Sequence, residues 1–214
     1  MIDYLIIKEI TPIINDEGAY AGLPTTCIRL AGCHLECNFC NEEVADETVS
    51  QRIYMSKLIK TVRKMGNKHV CITGGEPLLQ KEALIPLMYE LTYNNFISWI
   101  DTSGTVKIEK DIHKRSWNYH MDIKCPSSGV ASFNKLDNLG KLQREDEVKF
   151  LIADYNDYLY ALTVIKQHPT MANIYFSPVF TSQGNNARDL ADVMIAENPK
   201  GIKLSIPFNR MIGE

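Results

Sequence analysis

Residues 29–43 read RLAGCHLECNFCNEE, with Cys33, Cys37 and Cys40 spaced Cys-x3-Cys-x2-Cys and no fourth cysteine nearby. A structural zinc site takes four closed ligands. His34, the one nearby imidazole, lies between the first two cysteines and is badly placed to close a tetrahedron with them. Cys71 and Cys125 stand as remote alternatives for a fourth ligand. A cubane iron–sulfur cluster on three thiolates instead leaves one iron open to an external ligand. Three thiolates and one open position describe a site that binds something at the metal.

Outward from this stretch, short β-branched or aromatic runs alternate with longer segments of helical spacing. The spacing predicts strands at 4–10, 25–31, 68–73, 96–102, 119–124, 147–153, 173–179 and 201–206. It predicts helices at 56–65, 81–94, 157–168 and 187–197; in the first, Leu58, Ile59, Val62 and Met65 share one face. Such alternation argues for an α/β fold with a parallel sheet and helices packed outside it, as a closed or partial barrel. Functional groups then belong at the C-terminal strand ends. The segments GCHLEC, GGEP, TSG, KCPSSG and SPVF all follow predicted strands, whereas the opposite loops look plainer. No repeat or linker interrupts the pattern, so residues 1–214 read as one domain.

Hydrophobic residues make up 45% and charged residues 23% of the 214, with a formal charge of −3. A nucleic-acid binder would carry a basic stripe, and none is present. The start has no basic leader or cleavage site, and no run of 18 apolar residues exists to span a membrane. A cytoplasmic protein with reduced thiols is expected, in which six cysteines speak for metal or redox chemistry before disulfides. Cys27 and Cys71 lie in apolar strand patterns as small buried hydrophobes, and Cys125 lies nearer the expected barrel mouth.

The CxxxCxxC spacing, with Phe39 before the last cysteine, resembles the radical S-adenosylmethionine superfamily. The loop ITGGEPLLQ (72–80) supplies that superfamily's GGEP mark as Gly74, Gly75, Glu76 and Pro77. The resemblance implies a [4Fe-4S] cluster on Cys33, Cys37 and Cys40, with S-adenosylmethionine chelated at the open iron. One-electron reduction then yields methionine and a 5′-deoxyadenosyl radical that abstracts hydrogen. Cofactors carry the hard chemistry and the protein positions them.

INDEGAYAGLPTTCIRLAGC (14–33) further resembles the opening of 7-carboxy-7-deazaguanine synthases. DTSG (101–104), DIKCPSSG (122–129), DEVKF (146–150) and FSPVF (176–180) follow in that family's order. What the resemblance implies is an abridged radical S-adenosylmethionine barrel, usually homodimeric. Its reaction turns 6-carboxy-5,6,7,8-tetrahydropterin into 7-carboxy-7-deazaguanine with loss of ammonia, toward queuosine-type 7-deazapurines. An electron donor such as flavodoxin or ferredoxin is implied. By position, Ile14, Asn15, Asp16, Glu17, Arg29, Thr73, Asn209 and Arg210 fall at the substrate. Phe39, Asn41, Gly74, Gly75, Glu76, Ser103, Asp122, Ile123, Lys124, Lys149 and Ser177 fall at S-adenosylmethionine.

Read as residues, Arg29 is either a two-pronged carboxylate partner or an ordinary arginine paired with an acid. Glu17 is either an acceptor for ring N–H groups or a turn residue. Lys124 suits a barrel mouth or solvent. Lys149 alternates with apolar neighbours, which on pattern alone turns it to solvent.

The departures from the family pattern cluster on the substrate side. The resemblance expects Asp and then a magnesium-binding Thr or Ser after Cys40, where this chain has Asn41 and Glu42. Glu42 is the candidate magnesium ligand, since a carboxylate binds a hard cation well; Glu42 and Glu43 read alternatively as a solvated acidic turn. QGEG has become NDEG at 15–18, and the family's QxHK tail aligns with Pro207, Phe208, Asn209 and Arg210. Alternatives are a related pterin or purine substrate, a glycyl-radical-enzyme activase, and a non-catalytic relic.

Overall fold

The computed structural model describes residues 2–40, 50–108, 117–181 and 184–208. Its first apolar run forms β1 (Tyr4–Ile14), longer than predicted, with a bulge between Ile7 and Glu9. It pairs antiparallel with β2 (Pro24–Leu30), and Ile14 meets Pro24 at the loop end. A short strand that the pattern did not predict, β3 (Gln51–Tyr54), runs antiparallel along the other side of β1. Its four residues QRIY are too few and too polar to show periodicity.

The predicted alternation follows: α1 (Met55–Met65), β4 (His69–Gly74), α2 (Lys81–Tyr93), β5 (Ile97–Thr102), β6 (Asn118–Ile123), β7 (Glu147–Ile152) and α3 (Tyr155–Gln167). Then come β8 (Asn173–Pro178), the two-residue ribbon β9 (Phe180–Thr181) and β10 (Gly184–Asn185), α4 (Ala187–Glu197) and β11 (Ile202–Leu204). The main sheet has nine strands in the order β11-β8-β7-β6-β5-β4-β2-β1-β3. From β11 to β2 every pairing is parallel. The edges β11 and β3 do not pair with each other, so the α/β sheet is a partial barrel.

Alternation within the strands separates two faces. In β6, Tyr119, Met121 and Ile123 are buried against the helices, while His120 and Asp122 turn to the cavity. Leu84, Leu87, Met88 and Leu91 of α2 are fully buried, each contributing about 1.5–3 kcal/mol through removal of apolar surface from water. Among the described residues no α-helix joins β6 to β7; three 3-10 turns do. Buried polar side chains hold this connection. Asn138 accepts from the Ile108 N–H at 3.0 Å and donates to the Val106 carbonyl at 2.8 Å. Asp146 accepts from the N–H groups of Tyr119 and Gln143 at 2.8 and 2.6 Å. No helix among the described residues is long and apolar enough to cross a membrane.

Candidate active site

One cavity of about 380 Å³ runs from the three clustered cysteines down to the loop after β1. Because β5 to β8 are parallel, residues in register point the same way and form rungs across the cavity wall. The lower rung is Asp101, His120 and Glu147, and the next is Asp122, Lys149 and Tyr175.

The loop between β1 and β2 closes the floor. It lies at the N-terminal ends of the parallel strands, opposite the cysteines, because β1 is antiparallel to β2. This loop, at the end where plain loops were expected, carries Asn15, Asp16 and Glu17 into the cavity. Asn15 braces it, donating to the Glu17 carbonyl at 2.7 Å. The Tyr20 ring stacks on Trp99 at 4.7 Å. The Ala19 N–H donates to Glu147 Oε1 at 2.6 Å. Gly18, at φ +69°, lies directly against the same carboxylate, and a Cβ there would overlap it. Only glycine combines that backbone with that contact.

Charge fills the lower cavity. Lys149 Nζ lies 2.5 Å from Glu17 Oε2 and 3.5 Å from Asp122 Oδ1. Ser177 donates to Glu17 Oε1 at 2.8 Å, and Lys124 Nζ lies 3.1 Å from Asp122 Oδ2. Burial works against the Lys149 charge, yet Asp122 and Glu17 hold the ammonium well above its ordinary pKa. Burial likewise pushes the Asp122 carboxyl up, and Lys149 and Lys124 more than offset it, so its pKa falls. His120 Nδ1 lies 3.4 Å from Asp101 Oδ1 and 3.9 Å from Glu147 Oε2. Burial lowers the affinity of this ring for a proton, but Asp101 and Glu147 together raise its pKa above the ordinary value. Asp16 is pushed up to about 6, mainly by burial and next by Glu17.

Backbone and side-chain hydrogen bonds hold the rim. The Gly75 and Glu76 N–H groups donate to the Leu30 and Gly32 carbonyls at 3.3 and 2.9 Å. Gly74, at φ +129°, packs so closely on Leu30 that no side chain fits. Asn38 clasps the far wall, its backbone N–H and side-chain amide donating to the carbonyls of Ser128 and Ser127, each at 3.0 Å. His34 Nε2 lies 3.0 Å from Thr105 Oγ1. Cys33 and Cys40 are exposed and Cys37 is half-buried, and none of the three is in a disulfide. Burial raises the Cys37 thiol while Lys124 opposes the rise, and Cys33 and Cys40 lie close enough to add to it. No three His, Cys, Asp or Glu side chains among the described residues converge as ligands of one ion. Three thiols of one loop, set round one cavity mouth, suit a polynuclear cluster.

Of the predicted residues, Cys33, Cys37, Cys40, Phe39, Gly74, Gly75, Ser103, Asp122, Lys124, Lys149 and Ser177 line the cavity, as do Asn15, Asp16, Glu17 and Thr73. Ile14, Arg29, Glu76 and Ile123 do not. Glu76 is buried and accepts from the Leu78 N–H at 2.9 Å, the Thr102 hydroxyl at 2.8 Å, the Ser103 N–H at 2.8 Å and the Ser103 hydroxyl. It therefore clamps the β4 loop to the β5 loop. Arg29 shares the sheet face of its register partner Thr73, but its Nε lies 3.6 Å from Glu9 Oε2 on β1. Ile123 packs into the core. Asn41, Glu42, Asn209 and Arg210 lie outside the described residues. Lys149 faces the cavity, not solvent. Cys125 is buried on the cavity wall, and burial pushes its thiol pKa far up. Cys71 is not simply apolar, since its thiol donates to Asp101 Oδ2 at 2.9 Å. The motifs assign no role to His120, Glu147 and Tyr175; the polar half of the alternation in YHMDIK and EVKF is the signal that marks His120 and Glu147.

A family model described as a 4Fe-4S single cluster domain matches residues 18–123. The chain is 34% identical over 210 residues to the 7-carboxy-7-deazaguanine synthase of Methanospirillum hungatei, covering 97% of this chain and 85% of that protein. It is 32% identical over 217 residues to the synthase of Clostridium acetobutylicum, covering 99% and 96%. The crystal structure of QueE from Escherichia coli shares the fold, with a TM-score of 0.72 at 24% identity over 95% of this chain and 93% of that one. The thiol rim, the partial barrel and these near full-length relatives agree, and the chain belongs to the 7-carboxy-7-deazaguanine synthase family.

Proposed function

We propose that this chain is a radical S-adenosylmethionine enzyme that converts 6-carboxy-5,6,7,8-tetrahydropterin to 7-carboxy-7-deazaguanine, releasing ammonia. The observation that carries the reading is the single cavity joining three thiols above to carboxylates below. Bound on Cys33, Cys37 and Cys40, a [4Fe-4S] cluster with S-adenosylmethionine supplies the one-electron chemistry that begins hydrogen abstraction.

The chain's own residues position the partners. Gly74 and Gly75 bring backbone to the cavity wall, and Asp122 and Lys124 present one charge of each sign beneath the rim. Glu17 and Asp16 offer acceptors to a ring rich in N–H groups. Lys149 pairs with Glu17 and fixes its position. Arg29 is the partner assigned to the substrate carboxylate; it stands outside the cavity lining beside the half-exposed Glu9, and it would turn from that weak surface pair toward the sheet face it shares with the cavity-lining Thr73. The reading extends to a magnesium ion at Glu42, a small one-electron donor protein, and a homodimer.

The test is anaerobic reconstitution followed by incubation with reductant, S-adenosylmethionine and the tetrahydropterin, with product resolved by liquid chromatography. Formation of 7-carboxy-7-deazaguanine is expected. 5′-Deoxyadenosine without that product would overturn the substrate, and zinc in place of iron and sulfide would overturn the cluster. Loss of turnover with a chelator, restored by magnesium, tests the cation.

A further inference from the structure

We propose that His34 is a positioning residue for the cluster: through Thr105 and Ser103 it ties the cysteine loop to the buried carboxylate of Glu76 and so fixes the place of Cys33. The inference rests on reading Cys33 as a cluster ligand.

Cys33 lies between two residues that both lead to Glu76. On one side, the Glu76 N–H donates to the Gly32 carbonyl at 2.9 Å. On the other, His34 Nε2 lies 3.0 Å from Thr105 Oγ1, and Thr105 Oγ1 lies 2.6 Å from Ser103 Oγ. Ser103 Oγ in turn donates to Glu76 Oε2. The two routes close a hydrogen-bonded ring around Cys33. Glu76, Ser103 and Thr105 are buried, whereas His34 is exposed, so the chain runs from the interior out to the loop. Phe133, on the connection between β6 and β7, meets the imidazole edge-on at 6.4 Å. Asn38, bound to Ser127 and Ser128, clasps the later part of the same loop from a different wall.

The Glu76 end sets the sense of the chain. A hydroxyl has one hydrogen to donate, and that of Ser103 goes to Glu76 Oε2. Ser103 Oγ therefore accepts from the Thr105 hydroxyl, and Thr105 Oγ1 accepts from His34. The imidazole completes the chain only with a hydrogen on Nε2. Hydrogen bonds aligned in one sense strengthen one another, so a break at either end weakens the whole. Groups behind the ligands decide how firmly a metal group is held.

The test is anaerobic release of iron from the reconstituted protein to the chelator ferrozine. It compares wild type with His34→Phe, His34→Gln, Thr105→Val and the double variant His34→Phe/Thr105→Val. Phenylalanine keeps a ring against Phe133 and removes the donor, while glutamine restores an N–H near the reach of Nε2. His34→Phe and Thr105→Val should each release iron about fivefold faster than wild type, the effect of one lost hydrogen bond. The double variant should be no faster than either, because both changes break one chain. His34→Gln should stay within about twofold of wild type. In the full chain before reconstitution, the Glu76 amide should exchange its hydrogen about fivefold faster in His34→Phe, because the ring around Cys33 is open. A wild-type release rate or wild-type Glu76 exchange in His34→Phe would overturn the inference alone, as would two effects that multiply in the double variant. Absence of iron and sulfide from the reconstituted wild type would overturn the cluster reading, and the inference with it.

Discussion

The rim and the floor of the cavity are built from different forces. At the rim, loops are joined by backbone hydrogen bonds and by side chains such as Asn38 and His34, and two of the three thiols are exposed. At the floor, Lys149 binds Glu17 and Asp122, His120 lies between two acids, and a stacked tyrosine closes the end. The rim needs little from the fold except a wide, well-fixed loop to take its inorganic group. The floor carries its chemistry in ionised side chains whose charges depend on one another. Changes at the rim should therefore act on cofactor content, and changes at the floor on stability, substrate affinity and pH response.

The largest expected effect breaks the rim alone. Cys37→Ala should abolish bound iron and the brown absorbance of the reconstituted protein. Its melting temperature before reconstitution should stay within about 2 °C, since the side chain is only half-buried and is not part of the hydrophobic core. A variant that kept its iron would refute the ligand assignment. Lys149→Met should do the reverse. It leaves Glu17 without its cation and Asp122 with Lys124 alone, and removing one member of a buried ion network costs about 3–5 kcal/mol. These side chains keep 22–27% exposure, so a loss near 2–3 kcal/mol is expected in urea denaturation, with iron content intact.

The smallest effect is a matter of pH. The proton affinity of His120 is raised by Asp101 and Glu147, so its contribution to stability is full below its unfolded pKa of 6.5 and is lost as pH rises through the higher folded value. His120→Asn should flatten the fall in melting temperature above pH 6.5 and change little at the rim. An unchanged slope would mean that the imidazole is already neutral.

The same contrast explains what could be read from the sequence. The rim was legible because its ligands are contiguous: one loop holds all three thiols, and the GGEP loop lies on the next parallel strand. The floor was harder, because its groups come from four strands, β5 to β8, and the β1–β2 loop. Lys149 alternates with apolar residues, and alternation normally means a solvent face. In a partial barrel the second face is a lumen, so the same pattern marks a ligand site. The Arg29–Glu9 pair depends on antiparallel register that no local pattern reports. Glu76 sits inside a motif associated with ligand binding, yet four donors from two loops hold it as a clamp. Its partners Thr102 and Ser103 were visible in DTSG, but their meeting with Glu76 was not.

Gly18 gives the floor a particular vulnerability. Its hydrogen atom is all that separates the backbone from the Glu147 carboxylate. Any replacement must drive that carboxylate aside and force the backbone from its left-handed conformation, dislodging the turn that delivers Asp16 and Glu17. Such a lesion would pass every inspection of iron, sulfide and colour. The enzyme would be fully charged with cofactor and unable to seat what it acts on.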